Sequence, residues 1–264
     1  MTARDDWLVS GIGHCTAEQI TVCGRDLAED LMGAVSFPDL AFLLVARRLP
    51  TAAESRLLNA VLVALTDHGL TPTVLAARLT YTGAPEALQG AIAAGLLGGG
   101  SVFLGPTEDT ARFLRTVGTE HRLSGDCPVT ALRSAADQAV QACRAAGHRI
   151  PGLGHPVHKE VDPRVPRLYT LAAEYGLLGM HLRLLEQVQL AQAELSGRRL
   201  PINGAGAAGA ALADLGLPPE LARGFALLAR TAGLIGHLAE EMAHPIGMPL
   251  YRDIEDRMHY RPSP

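Results

Sequence analysis

The chain has 264 residues, 48% of them hydrophobic and 19% charged, with a formal net charge of −4. That length can bury a substantial core, and that composition excludes a disordered chain. A charge so near neutrality gives neither nucleic acid nor an anionic membrane a reason to bind. Aromatic residues are only 4%, and alanine, leucine and glycine dominate. This mixture favours closely packed helices over a sandwich or barrel, so the expected fold class is all-α. Cys15, Cys23, Cys127 and Cys143 show no CxxC or metal-site spacing and are expected to be buried thiols. Met1 to Asp6 is polar with no apolar stretch of signal-peptide type behind it. The longest apolar runs, such as Leu40 to Ala46, fall far short of a membrane span. A reducing, cytoplasmic setting is the expectation.

Residues 8 to 27 mix β-prone stretches with glycines, and Ile20 to Cys23 is expected to form a strand of a short N-terminal hairpin. Thr51-Ala52-Ala53-Glu54 has capping-box spacing, and Leu57, Leu58, Val61, Leu62 and Leu65 follow at helical intervals. Gly69 is expected to stop this helix after His68. Pro72 opens a helix to about Thr82, and Pro85 another to about Leu97. Gly98-Gly99-Gly100-Ser101 breaks the pattern. Helices are expected from Pro106 to about Val117 and from Pro128 to Ala146, then over 164–175, 177–196, 205–215 and 219–243. The tail from His244 reads as irregular.

The segment Ile150 to Pro163 holds four prolines or glycines in its first seven residues and reads as a shaped loop. Gly152 and Gly154 suit a positive φ or a close approach to a ligand. His155 follows with a ring that titrates near neutrality, and Lys159 and Arg164 add cations. Arg164 can grip a carboxylate with two parallel hydrogen bonds. A histidine acid beside a cationic clamp suits chemistry on a carboxylate-rich substrate. A turn with an exposed histidine and a surface arginine has the same spacing.

Taken whole, Pro151-Gly152-Leu153-Gly154-His155-Pro156-Val157-His158-Lys159-Glu160-Val161-Asp162-Pro163-Arg164 resembles the Gly-x-Gly-His-x-Val-x-Lys-x-x-Asp-Pro-Arg signature of the citrate synthase superfamily. Three further segments are similar to that family in collinear order. These are Ile20 to Pro50, Asp67-His68-Gly69, and Arg230-Thr231-Ala232-Gly233-Leu234-Ile235-Gly236-His237. The short length fits the stand-alone citryl-CoA lyase-like branch. The resemblance implies a helical homodimer, with a large domain from 1–104 and 201–264 and a smaller one from 105–200. It implies that His155 polarises the oxygen on the reacting carbon, and that His68, Arg164, Arg230 and Asn203 hold the substrate. Pro151, Gly152, Gly154 and Lys159 would border the coenzyme A moiety. Leu250-Tyr251-Arg252 is similar to a tail in the lyase module of ATP-citrate lyase, where the arginine serves the other subunit's site.

Two positions depart from the family pattern. Its His-Gly-Gly histidine falls on Gly98, and the aspartate of its Asn-Val-Asp falls on Ala205. Losing a positioned base costs about 10²–10⁴-fold in rate, so another group must take the proton. His158 is the first candidate, with Asp67 or a water held by Asn203 and Ser101 behind it. Gly204 and Gly206 are expected to leave extra room near the reacting carbon. An arginine buried on the apolar helix at 230 needs a partner, either Glu240, Glu241 or a bound anion. A helix end at His68 is expected to favour its protonated form.

The expected function is cleavage, or the reverse condensation, of citryl-CoA or a related 3-hydroxy-3-carboxyacyl-CoA. The substrates are a small polycarboxylate and a CoA thioester, with no metal or cofactor beyond coenzyme A as part of the substrate. A retro-Claisen or thioester hydrolase and a non-catalytic CoA-ester-binding homologue share the same scaffold.

Overall fold

The computed structural model describes residues 9–262. The polar stretch Met1 to Asp6 lies outside them. Strands β1 (Gly13–Cys15), β2 (Ile20–Val22) and β3 (Arg25–Asp26) form an antiparallel sheet in that order. The expected hairpin thus gains a third strand. The chain turns at Cys23 and Gly24, with φ of 48° and 77°. One π-turn, Leu27–Leu31, then leads to helix α1 (Phe37–Ala46), which Ser36 caps through the Asp39 amide.

Helix α2 (Ala52–Leu65) carries the full capping box. The Thr51 hydroxyl accepts from the Glu54 amide, and the Glu54 carboxylate accepts from the Thr51 amide. Its five expected core residues, Leu57, Leu58, Val61, Leu62 and Leu65, are all buried. The helix ends at Leu65, so His68 lies in the following loop rather than on its last turn.

Helix α3 spans Pro72–Gly83 and α4 spans Leu88–Leu97. Pro85 does not start α4: the Ala87 amide closes a turn onto the Ala84 carbonyl and leaves the proline outside the helix. A second π-turn, Gly100–Leu104, occupies the glycine-rich break. It leads into α5 (Pro106–Glu120), followed by α6 (Val129–Ala145), α7 (Arg164–Glu174), α8 (Met180–Ser196), α9 (Gly204–Asp214) and α10 (Pro219–Ala243). The tail expected to be irregular contains α11 (Gly247–Arg257). Its signal is non-local: the Glu241 carboxylate at the end of α10 accepts from the Ile246 and Gly247 amides, placing an anion at the new helix's N-terminus.

Helix α9 lies inside the main core. Gly206 to Ala213 are buried without a break, and α2, α5, α7 and α8 all pack on this helix. Small residues permit that crowding. A Cβ on Gly209 would lie 2.3 Å from the Thr107 carbonyl of α5. The main core runs from Phe42, Leu58 and Val61 through Leu114, Leu132 and Leu185 to Phe225. A smaller cluster, Val74, Ala77, Ala91, Leu234 and Leu238, joins α3 and α4 to α10. Among the described residues no helix is long and apolar enough to cross a membrane. The four cysteines are free, but only Cys127 is buried. The low hydrophobic demand of the small N-terminal sheet leaves Cys15 exposed.

A buried ion pair ties the second layer together. Arg78 on α3 donates to Glu241 at 2.6 Å and to Glu240 at 2.7 Å. Burial alone would disfavour the guanidinium, and the two carboxylates outweigh it and raise its pKa. Glu241→Ala removes both the buried counter-ion and the α11 cap, and is expected to destabilise the fold by about 3 kcal/mol in urea titration. A loss under about 1 kcal/mol would contradict this placement.

Candidate active site

Three histidines from two loops converge. The His68 and His155 ring centroids are 5.0 Å apart, His68 and His158 are 5.3 Å apart, and His155 and His158 are 4.5 Å apart. The positions of both loops follow from local chemistry. After α2, Gly69 adopts φ 75° and its amide donates to Asp67, folding the His68 turn. The other Asp67 oxygen meets the His237 ring of α10 at 2.8 Å. Sequence reasoning gave His237 no role; it anchors the loop that carries His68.

The 151–163 loop is held against the chain entering α9. Leu153 forms an isolated bridge with Ile202, the Gly154 amide donates to the Pro201 carbonyl, and the Asn203 amide donates to the Gly152 carbonyl. Gly152 and Gly154 both take φ 83°, so the glycines serve the turn itself. Asn203 spends its side chain on structure: its oxygen caps the Gly206 amide and its nitrogen donates to the Gly154 carbonyl. Gly204 and Gly206 do not leave room near the reacting carbon. A Cβ on Gly204 would lie 2.4 Å from the Arg164 guanidinium, and one on Gly206 would lie 2.5 Å from Gly152 Cα. That volume is already filled by the loop.

Asp162 is fully buried and joins this loop to two helices. It accepts two bonds from the Arg164 side chain (2.9 and 2.6 Å), one from the Arg164 amide and one from the Gly204 amide. Burial raises its pKa, but these donors win and hold it at about 2. The two-pronged grip expected of Arg164 is therefore used on Asp162. One further nitrogen donates to the Ala64 carbonyl at 3.2 Å. The spare N–H groups still give the site a cation.

His155 is locked in one tautomer. Its Nδ1 accepts from the Val157 and His158 amides, both at 3.0 Å, so the ring proton sits on Nε2. Burial, then the His158 ring, lower its pKa to about 4. The ring is a neutral hydrogen-bond donor. Burial, then Arg164 and His158, also lower the pKa of His68, so a protonated His68 is not favoured. The expectation from a helix end fails because α2 stops short and two guanidinium groups act on the ring.

Arg230 lies beside this cluster, where its charge acts with that of Arg164. Gly233, one turn further along α10, lets that helix sit against the Thr66 carbonyl, where a Cβ would lie at 2.1 Å. This brings Arg230 under the 66–68 loop, close enough for its charge to act on His68. It is 8% exposed, and its Nε and Nη1 are buried with no hydrogen-bond partner among the described residues. Neither Glu240 nor Glu241 neutralises it, because both serve Arg78. Lys159 is exposed and donates to the His155 carbonyl at 3.2 Å, and Pro151 at the start of the loop is half-buried. Arg252 stands exposed on α11, an element that packs on α3, and forms no hydrogen bond or ion pair with the cluster residues. Ala205 is half-buried in the first turn of α9, with no acid in its place.

Donor atoms of the three histidines lie within 4.8 Å of one another, which is metal-like spacing. The proton on His155 Nε2 does not suit a ligand atom, since a metal needs that lone pair.

The family model for the citrate synthase C-terminal domain matches residues 51–252. The chain belongs to the citrate synthase family. Within it, this chain is similar to the solved citryl-CoA lyase from Hydrogenobacter thermophilus, with 31% identity and a TM-score of 0.84 over 97% of this chain and 95% of that one. It shares its fold with an ATP citrate lyase from Methanosaeta concilii solved with (3S)-citryl-CoA, at 23% identity and TM-score 0.76, over 98% of this chain and 42% of that one. A probable ATP-citrate synthase of Dictyostelium discoideum is 26% identical over 96% of this chain. The chain spans 41% of that relative's length, and 26% of a citrate synthase from the same organism.

A buried guanidinium without a partner costs the empty protein stability. Arg230→Met should leave the urea midpoint unchanged or raise stability by about 1 kcal/mol or more. A loss above about 1 kcal/mol would show that Arg230 is paired in the unliganded protein.

Proposed function

We propose that the protein is a carbon–carbon lyase that cleaves citryl-CoA, or a related 3-hydroxy-3-carboxyacyl-CoA, to an acyl-CoA and an oxo-acid, or runs the reverse condensation. The observation that carries this reading is the pairing of an unpartnered buried Arg230 with a His155 locked as a neutral donor. A buried cation with two empty nitrogens calls for a carboxylate. A neutral imidazole donor suits the oxygen of a carbinol becoming a carbonyl, which must be stabilised without being fully protonated. Similarity to the citryl-CoA lyase over nearly the whole of both chains supports the same substrate class.

In this reading Arg230 and the spare N–H groups of Arg164 hold two carboxylates. His155 Nε2–H donates to the tertiary oxygen, and His158 takes the hydroxyl proton. The C–C bonding pair passes to the thioester α-carbon as an enolate, and the carbinol carbon becomes the oxo-acid carbonyl. Asn203 and Asp162 position the loop rather than touch the substrate. Lys159, with Arg198 and Arg199 a few residues before the Leu153–Ile202 bridge, suits the phosphates of coenzyme A. The imidazole and guanidinium groups supply the electrostatic work, so the reaction needs no metal or further cofactor. With the volume beside Gly204 and Gly206 filled, nothing in the site favours a bulkier acyl group.

We also propose a homodimer. The α3, α4, α10 and α11 layer rests on a small core, yet it exposes Leu79, Leu97, Ile235, Met242, Tyr251 and Ile254. So much apolar surface on one layer suits a subunit interface. Dimerisation would offer Arg252 to the partner's site. Free thiols suit a cytoplasmic compartment.

Incubation with citryl-CoA should release oxo-acid and acetyl-CoA in equal amounts. His155→Ala should slow this by about 10²–10⁴-fold while leaving the fold intact. Release of free CoA thiol without oxo-acid, or full activity of the variant, would overturn the reading.

A further inference from the structure

We propose that His68 and His158 act as one proton-holding pair, and that this pair replaces the carboxylate base missing at Ala205. The inference rests on the lyase reading and gives His68 a role beyond holding a carboxylate. Its basis is geometric. His68 Nε2 and His158 Nε2 are 3.2 Å apart, with the rings edge-on at 85°. Two N–H groups cannot face each other at that distance, and two lone pairs repel. One proton therefore lies between the rings, and in the neutral pair the two imidazoles take opposite tautomers.

That arrangement fixes what the outer nitrogens offer. The ring that donates through Nε2 has a free lone pair on Nδ1. The ring that accepts through Nε2 carries its proton on Nδ1. One end of the pair is a base and the other an acid. His155 cannot join this exchange, because both amide donors at its Nδ1 keep its proton on Nε2.

The step balances. The carbinol O–H proton moves to the free outer nitrogen, and the bridging proton shifts to the other ring. The C–C bond breaks, its electron pair going to the thioester α-carbon. The outer N–H of the second ring then gives its proton to that carbon. No net proton is gained, and the pair is left with its tautomers exchanged. The reverse condensation runs through the same states.

The groups facing the pair set its basicity. Arg164 and Arg230 disfavour a charged imidazole at His68, Asp162 favours one, and the His155 ring lies against both partners. Asp67 is adjacent but is engaged by His237 and the Gly69 amide, and Lys159 points to the His155 carbonyl. A polycarboxylate bound by the two guanidinium groups offsets their charge, so substrate itself makes the pair a better base.

The test is a double-mutant cycle on citryl-CoA cleavage with His68→Asn, His158→Asn and the double variant. Residues acting as a unit give strongly non-additive losses. Each single change should lower kcat by about 10²–10⁴-fold, and the double should lose no more than the worse single. Losses that multiply, or a His68→Asn effect confined to KM, would overturn the pair. Wild-type protein inert toward citryl-CoA would sink the lyase reading instead. The pair is then judged in the free protein by imidazole ¹⁵N NMR. Opposite tautomers at neutral pH, with the His158 titration shifted by His68→Asn, support it whatever the activity. Matching tautomers with independent titrations overturn it.

Discussion

The site depends on one buried carboxylate. Asp162 has no solvent exposure, and the four hydrogen bonds it accepts tie the loop to two helix starts: three come from Arg164, through its guanidinium and the first amide of α7, and one from Gly204, the first amide of α9. A lone carboxylate in that position would be expensive, and four donors offset the cost. In return the 151–163 loop has one geometry. His155 and His158 are held between this node and the Leu153–Ile202 bridge, and the Arg164 cation stays beside them. Glycine at 204 and 206 is part of the same constraint, since a side chain at either position would displace the loop.

Around that node the charge balance is uneven. Arg164 is paired with Asp162, while Arg230 keeps two buried nitrogens with no hydrogen-bond partner among the described residues. His155 and His68 are held toward their neutral forms, and the His68 and His158 rings meet nitrogen to nitrogen, so the site presents a donor and a proton-sharing pair. Such a site discriminates by charge first and by proton inventory second. An anionic group settles Arg230, and a hydroxyl between His155 and the His68–His158 pair meets both a donor and a base. With the proposed His68–His158 pair, the base role of the family aspartate at Ala205 falls to the two loops that carry those rings.

Much of the helical frame was legible because its signals are local. The Thr51–Glu54 capping box and Pro72 and Pro106 in the first turns of their helices each act within a few residues. The signature loop was legible by its resemblance, and the structure brings His68, His155 and His158 together across 90 residues of chain. What stayed hidden is partner choice between distant groups. Nothing near Glu241 in sequence shows that it pairs with Arg78 and starts α11, which leaves Arg230 without either glutamate as a partner. Nothing near Gly204 shows the Arg164 guanidinium packed against it. The state of His68 was misjudged for the same reason: a nearby helix end is a local cue, whereas two arginines from α7 and α10 set its field.

The central claim is that Arg230 and the histidine cluster surround one cleft built for a small polycarboxylate. The most direct test is calorimetric titration of the unliganded protein with oxaloacetate, comparing wild type with Arg230→Met and with a surface control, Arg257→Met. Exposed Arg257 pairs, among the described residues, only with Asp253 on its own helix. Binding that persists in the control and weakens by at least about 10²-fold in Arg230→Met, equivalent to roughly 3 kcal/mol, is the predicted result. Equal affinity in all three proteins would contradict the account, because the buried guanidinium would then have no part in holding the ligand.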